Sequence, residues 1–324
     1  MIFLARNNNI ERLISVITEK GPNRVFLQIP AGLKTKLVRI MELLDEKGID
    51  VFASLDPCYG ACDLKDVEAE RMGCDLLVHV GHTKFCESDR IDVVYFPWMH
   101  MNTDPVQVIG ESLADLEDYR RIGIVASVNF LPVVEETEEF LKSKNFDVFV
   151  GESSSMERGQ IIGCDVSSAL SIEEDVDCYL YLGSGIFHPL GLGLETSKPI
   201  FRLDFEEGRI KRMDFDKFQR QRIIAVERAK DAEKFGILVS TKKCQSEPEV
   251  ALSLKEMLTD LGKEAHIFTM DMVTKDKLEG LDLDCLVNAA CPRIAIENRT
   301  SFGIPILNVD ELQKAVENQN FNKL

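Results

Sequence analysis

The chain has 324 residues, and at about 150 residues per domain this length predicts more than one domain. Hydrophobic residues make up 45% of the sequence and charged residues 29%, which excludes a disordered, collagen-like or transmembrane protein. The formal net charge of −17 is opposite in sign to that of proteins that neutralise phosphates, so neither nucleic acid nor an anionic membrane is an expected partner.

One pattern of apolar strand, helix, apolar strand, loop and apolar strand occurs three times along the chain. The predicted strands are 24–29, 50–53 and 75–81 in the first copy, 122–126, 147–150 and 177–183 in the second, and 235–239, 265–268 and 284–290 in the third. Short apolar strands separated by amphipathic helices are typical of parallel sheets covered on both faces. We therefore predict an α/β protein built from three similar small domains with parallel sheets.

The repeat also sets the predicted domain boundaries. They divide the chain into residues 1–104, residues 105–208, and residues 209–324, the last including a connecting helix. Ligand sites in parallel sheets form outside the carboxyl ends of the strands. Three copies whose loops face one another would share one central site.

Several catalytic motifs are absent, namely the GxxxxGK[ST] phosphate loop, HExxH, GxSxG and a complete GxGxxG. Gly183-Ser184-Gly185 follows a predicted strand, but His188 stands where a dinucleotide fingerprint would have its third glycine. This turn could let a small ligand approach backbone N–H groups, or it could be a tight turn with no ligand.

Three loop cysteines are candidate metal ligands. Cys62 follows Cys58 in a spacing that could begin CxxxCxxC, but Lys65 occupies the third cysteine position. Cys164 and Cys291 lie in small-residue loops after strands of the second and third copies. One loop cysteine per copy would suit a [4Fe–4S] cluster held by three thiolates with its fourth iron open. The alternative is that the three are unrelated loop thiols.

The remaining cysteines and the hydropathy of the chain indicate the cellular compartment of the protein. Cys178 and Cys285 begin apolar strands, where cysteine behaves as a small hydrophobic core residue. Nine cysteines, an odd number, without a recognisable secretory signal indicate reduced thiols. No apolar run approaches the roughly 20 residues of a spanning helix. We expect a cytoplasmic protein.

Four segments carry a resemblance to a known family. They are 59–63 (YGACD), 159–164 (GQIIGC), 183–191 (GSGIFHPLG) and 290–293 (ACPR). These segments resemble motifs of the archaeal diphthamide synthase family, a group of non-standard radical S-adenosylmethionine (SAM) enzymes. The resemblance covers essentially the whole chain and includes residues 27–33 and 237–243.

The resemblance implies a cofactor, a reaction and partners. Carried over by position, the family's [4Fe–4S] ligands fall on Cys62, Cys164 and Cys291, whereas Cys58 is not at a ligand position. It implies a homodimer, with three similar domains per chain around the cluster. The implied reaction transfers the 3-amino-3-carboxypropyl group of SAM, as a radical, to a histidine of translation elongation factor 2. The electron donor is not identified by the sequence.

The glycine turn of the second copy and the similar loop positions of the first copy are where we expect SAM to bind. The expected cofactor-binding residues are Gln28, Gly32, Gly183, Ser184, Gly185 and His188. His188 could instead hold the turn in place without touching SAM.

Two other functions remain open at this point. Quinolinate synthase has a similar layout, with three α/β repeats that each donate one cysteine to an open-iron cluster, and it would make this protein a dehydrating condensation enzyme. The other possibility is a non-catalytic, cluster-bearing partner subunit.

Overall fold

The computed structural model describes residues 9–100 and 103–321. The opening residues, on which the expected lack of a secretory signal depends, lie outside these ranges. One compact unit ends at Leu192 and also takes in Thr196–Met213, and a second comprises Gly193–Glu195 and the chain from Asp214 onwards. Within the described ranges, no helix is both long enough and apolar enough to span a membrane.

The first sheet lies in the first unit and is entirely parallel. Its strands are β1 (Arg24–Gln28), β2 (Asp50–Ala53), β3 (Leu76–Val80) and β4 (Asp92–Phe96), in the order β2-β1-β3-β4. Its helices are α1 (Asn9–Lys20), α2 (Leu37–Asp45) and α3 (Asp66–Arg71). The apolar face of α2 carries Leu37, Ile40 and Leu44 at helical spacing, so all three are buried in the core on one face of this sheet.

The second sheet also belongs to the first unit. Its strands are β5 (Arg121–Ala126), β6 (Asp147–Val150), β7 (Cys178–Leu182), β8 (Ile200–Asp204) and β9 (Arg209–Arg212), in the order β6-β5-β7-β8-β9. Its helices are α4 (Pro105–Glu111), α5 (Val134–Ser143), α6 (Ser167–Leu170) and α7 (Phe187–Glu195). Strand β9 pairs antiparallel with β8 and the other pairs are parallel. This sheet therefore continues to Arg212, four residues past the predicted boundary at 208.

The third sheet forms the core of the second unit. Its strands are β10 (Lys234–Ser240), β11 (Glu264–Met270), β12 (Cys285–Ala289) and β13 (Ile306–Asn308), in the parallel order β11-β10-β12-β13. Its helices are α8 (Asp216–Ala229), α9 (Pro248–Asp260), α10 (Ile294–Glu297) and α11 (Val309–Phe321). Cys285 is fully buried in β12, as Cys178 is in β7.

The three sheets repeat one topology, in which the first strand lies between the second and third, and a fourth strand pairs with the third. The fourth strands β4, β8 and β13 were not among the predicted strands. The order places the carboxyl ends of the two central strands of each sheet next to each other, where the following loops form a crevice.

A carboxylate at the same repeat position fixes the start of each sheet. Asp75, Asp177 and Asp284 each immediately precede the third strand of their sheet. Each accepts two backbone N–H groups at the start of the first strand, with N···O distances from 2.8 to 3.2 Å.

These contacts lower the pKa of all three carboxylates. Burial opposes ionisation of Asp75, but the N–H groups of Asn23 and Arg24 outweigh it and lower its pKa. The Arg121 side chain, followed by the Arg121 N–H, lowers the pKa of Asp177. The N–H groups of Lys234 and Glu233 lower the pKa of Asp284.

We expect this set to contribute to acid sensitivity. A carboxylate whose pKa is lower in the folded state stabilises the protein above its unfolded pKa of about 3.9, and this contribution is lost as the pH falls through the folded value. Asp75→Asn should lower the free energy of unfolding at pH 7 by about 1 kcal/mol and flatten its fall below pH 4. Denaturant unfolding at several pH values measures both effects.

Asp50→Asn is the matched control, because the Asp50 carboxylate forms an exposed ion pair with Arg24 at 3.2 Å and such pairs contribute little. Equal stability losses in Asp50→Asn and Asp75→Asn would contradict the role given to the backbone N–H contacts.

Candidate functional site

Cys62 lies on a loop between β2 and α3, and the buried side-chain amide of Gln28 hydrogen-bonds to the backbone of this loop. Gln28, the last residue of β1, is 1% exposed. Its Nε2 donates to the Asp63 carbonyl oxygen at 2.5 Å, and its Oε1 accepts the Lys65 N–H at 3.3 Å. Gln28 therefore fixes the backbone that directly follows Cys62, and we assign it a positioning role for this loop.

Cys164 lies at the tip of a tight turn between β6 and α6. The Ile162 N–H donates to the Asp165 carbonyl at 2.9 Å, and the Asp165 N–H donates back to Ile162 at 3.3 Å. The Asp165 carboxylate accepts the hydroxyls of Ser155 and Ser167 at 2.7 and 2.6 Å. Burial opposes its charge, but the contacts from Ser167 and Ser155 lower its pKa. Cys164 itself is exposed, on a backbone that these contacts hold in place.

The Gly183–Gly191 segment packs against this turn. A Cβ atom added to Gly191 in α7 would lie 2.6 Å from the carbonyl oxygen of Gly163, the residue before Cys164. Only a glycine permits this approach of helix to turn. The structure thus brings together two of the segments singled out in the sequence, the one from Gly183 to Gly191 and the one ending at Cys164.

The glycine turn before α7 leaves its middle exposed. Gly183 is buried and a Cβ atom there would lie 2.3 Å from the Tyr181 hydroxyl, whereas Ser184 and Gly185 are exposed. Gly185 has a φ of +69°, which explains why glycine is required at that position. His188 lies in the first turn of α7, half-buried, with its ring edge-on to Phe187 at 5.0 Å between centroids.

Gly32, the remaining expected cofactor contact, lies in the 3₁₀ turn Ala31–Lys36 after β1 and is exposed. Nothing in its surroundings distinguishes it from an ordinary surface residue, since no heavy atom lies within 4 Å of an added Cβ.

Cys291 follows β12 in the second unit, and two asparagines fix its loop. Asn288 Nδ2 donates to the Cys291 carbonyl at 2.9 Å and to Asn308 Oδ1 at 2.8 Å. Asn308 Nδ2 donates in turn to the Pro292 carbonyl at 3.1 Å. Cys291 is partly exposed. Its position therefore parallels that of Cys62, because a buried strand amide holds the loop backbone beside each thiol.

Among the described residues, the structure brings together a further cluster of potential metal ligands that the sequence analysis did not identify. Cys58, His79 and His82 each offer a ligand atom, and these three atoms all lie within 4.8 Å of one another. The sequence feature that could have indicated this cluster is the His-x-Gly-His segment from His79 to His82 at the end of an apolar strand.

Burial keeps both histidines neutral. Burial, followed by the charge of His82, lowers the pKa of His79 to about 3. Burial alone lowers the pKa of His82 to about 4. Neutral imidazole is the form that binds metal ions.

Comparison with known proteins places these features in one family. The family described as "Putative diphthamide synthesis protein" matches residues 29–323. The chain is 32% identical over 296 residues to a 2-(3-amino-3-carboxypropyl)histidine synthase from Pyrococcus horikoshii, covering 90% of this chain and 85% of that one. It is 28% identical over 319 residues to subunit 1 of the enzyme of that name from Nematostella vectensis, covering 96% and 67%.

Two solved structures also resemble this chain. A crystal structure of Dph2 from Pyrococcus horikoshii matches with a TM-score of 0.87 and 31% identity, covering 94% of this chain and 89% of that one. A second crystal structure of the same protein, with a 4Fe-4S cluster, matches with a TM-score of 0.87 and 30% identity, covering 95% and 90%. The predicted α/β class with three similar parallel sheets is confirmed by this likeness.

Proposed function

This chain belongs to the diphthamide synthesis protein family, and we propose that it is a 2-(3-amino-3-carboxypropyl)histidine synthase. In this proposal it transfers the 3-amino-3-carboxypropyl group of SAM to one histidine of elongation factor 2, the first step of diphthamide biosynthesis. The observation that carries the proposal is the family match over residues 29–323.

The loop cysteines fit the cluster that the proposal requires. Thiolates are the ligands that iron–sulfur clusters use, and three thiolates support three irons of a [4Fe–4S] cube. Cys62, Cys164 and Cys291 each lie on a loop after a strand, and none is fully buried. The Gln28 amide, the Ile162–Asp165 turn and the Asn288 amide hold the backbone at these loops. We assign all three thiols as cluster ligands.

When bound and reduced, such a cluster supplies the electron that breaks the bond between the sulfur and the methionyl γ-carbon of SAM. The chain's own residues must bind and orient SAM and exclude water around the released carbon group. We assign SAM binding to the exposed turn of Ser184 and Gly185, to the adjoining Gly183 and His188, and to Gly32. Gln28, the sixth expected contact, is buried against the Cys62 loop and is assigned instead to holding that loop. Because α7 packs on the Cys164 turn through Gly191, SAM held at this turn would lie close to one cluster ligand.

The proposed partners follow from the same family membership. The protein substrate is elongation factor 2, the assembly is a homodimer, and an electron donor of unidentified nature reduces the cluster in the cytoplasm. A histidine at the tip of a loop can enter an active-site cleft without unfolding its own domain. The three-domain division at 104–105 and 208–209 and its central cluster site are part of this proposal.

The proposal is tested by transfer to the acceptor. Archaeal elongation factor 2, incubated anaerobically with this protein, SAM and dithionite, should gain one 3-amino-3-carboxypropyl group on one histidine, as seen by peptide mass spectrometry. An elongation factor whose target histidine is replaced by alanine is the control and should gain none. Label spread over many residues, or an unmodified factor while SAM is being cleaved, would show that the acceptor has been misidentified.

A further inference from the structure

We propose that Cys58, His79 and His82 form a binding site for a single Zn²⁺ ion or a similar divalent transition-metal ion. None of the three belongs to the cysteine set assigned to the iron–sulfur cluster, so this inference stands apart from the proposed function. Each residue offers one ligand atom, and these three atoms all lie within 4.8 Å of one another. The contacts among the three side chains are made by Cys58 Sγ, His79 Nε2 and His82 Nδ1.

The distances between these atoms suit one tetrahedral ion. His79 Nε2 lies 3.0 Å from His82 Nδ1 and 3.8 Å from Cys58 Sγ. Zn–N bonds of about 2.0 to 2.1 Å and a Zn–S bond of about 2.3 Å give tetrahedral edges of roughly 3.3 Å for N···N and roughly 3.5 Å for N···S. These two edges lie within about 0.3 Å of the expected values, and the third pair of ligand atoms lies within 4.8 Å, so movement of the Cys58 and His82 side chains would admit the ion.

Gln28 orients the central ligand. Because its Nε2 donates to the Asp63 carbonyl and its Oε1 accepts the Lys65 N–H, the amide can be assigned only one way round. Oε1 also lies 3.2 Å from His79 Nδ1 and can only accept, so Nδ1 carries the proton. His79 Nε2 is then unprotonated and directed at the other two ligands, which is the arrangement found around metal-bound histidines.

The backbone holds the second histidine against the first. Gly81 lies between them with a φ of +95°, and an added Cβ atom there would lie 2.8 Å from the Pro30 side chain. This turn lets β3 supply His79 from the strand and His82 from the loop. Cys58 comes from the loop after β2, so a bound ion would tie that loop to β3.

The chemistry of the donor set selects the kind of ion. Two imidazoles and one thiol favour Zn²⁺, Co²⁺ or Cu⁺ over Mg²⁺ and Ca²⁺, which prefer oxygen ligands. Binding would release one proton, from the Cys58 thiol, so affinity should rise with pH. Three protein ligands leave a fourth tetrahedral position for water or another small ligand.

The test uses Co²⁺ as the probe in the full-length Cys62→Ala/Cys164→Ala/Cys291→Ala variant, which lacks the cluster ligands. One Co²⁺ per chain should bind under anaerobic conditions, with a thiolate-to-cobalt charge-transfer band and the visible bands of tetrahedral cobalt, and Zn²⁺ should displace it. Adding Cys58→Ser should remove the charge-transfer band. Adding Gln28→Leu should retain the band but weaken binding by about tenfold or more, because the orienting contact is lost.

His266→Ala is the matched control, since His266 is an exposed histidine on β11 whose Nε2 lies 2.9 Å from the Glu264 carboxylate, and this variant should bind Co²⁺ like the parent. Zinc content of the wild-type protein after growth with added zinc is a second measurement that does not depend on the triple variant. It should fall from one ion per chain to none in Cys58→Ser. Absence of a thiolate band, or a band and zinc content unchanged by Cys58→Ser, would overturn the inference, and neither outcome would affect the cluster ligands assigned above.

Discussion

Replacing any one of Cys62, Cys164 and Cys291 by alanine is expected to reduce cluster assembly and SAM cleavage to background. Each thiol is assigned to one iron, and a [4Fe–4S] cube that loses a supporting thiolate is labile. Anaerobically reconstituted wild-type protein should be brown with about four irons per chain. Iron analysis and the visible absorption spectrum of each variant measure the effect.

Cys178→Ala is the control for this series. Cys178 is fully buried in β7, and burial, followed by the charge of Asp177, raises the pKa of its thiol to about 12. It therefore remains a neutral core residue, and its loss should leave the iron content unchanged. Cys58→Ala should also leave the cluster largely intact. Loss of colour in Cys58→Ala together with full colour in Cys62→Ala would show that the ligands have been wrongly assigned.

Gly151→Ala is expected to be the most damaging single substitution for the second sheet. Gly151 directly follows β6, and an added Cβ atom would lie 1.7 Å from the carbonyl oxygen of Ser168 in α6. The added Cβ atom is fixed to the backbone of residue 151, and the atom that it meets is a backbone oxygen. Neither can move aside without opening the loop that carries Cys164. We expect a loss of more than about 3 kcal/mol in the free energy of unfolding and a fall in iron content. Denaturant unfolding and iron analysis measure the two effects.

Gly110→Ala provides the comparison. Gly110 is in helix α4, and its added Cβ atom would lie 3.8 Å from the Phe140 ring, an ordinary contact. Alanine favours helix over glycine by up to about 1 kcal/mol, so this variant should be as stable as wild type or more so. If Gly151→Ala unfolds at the same denaturant concentration as Gly110→Ala, the close approach at Gly151 does not constrain the fold.

The repeated architecture could be predicted because its signals are local. Apolar strands and helical spacing recur three times, and Asp75, Asp177 and Asp284 mark the same point in each copy. Two of the three fourth strands lack the signals that the other strands carry. Strand β13 has only three residues, and β4 is largely half-buried rather than a continuous buried apolar run.

The candidate site could be predicted only in part. Cys62, Cys164 and Cys291 are proposed as ligands because loops after parallel strands are the expected ligand positions. The contacts that hold these loops join residues far apart in the sequence, such as Gln28 with Asp63 and His79. A polar residue at the end of an apolar strand, as in Gln28 and Asn288, was the available signal. It identifies a buried polar group that needs a partner, but not which partner it has.

The proposed function requires that this protein cleaves SAM between the sulfur and the methionyl γ-carbon. The most direct test is anaerobic incubation of the reconstituted, dithionite-reduced protein with SAM, followed by mass analysis of the nucleoside released. We expect 5′-methylthioadenosine to be released by wild-type protein and not by Cys62→Ala. Mainly 5′-deoxyadenosine, the product of ordinary radical SAM cleavage, or no nucleoside from fully clustered protein, would contradict it.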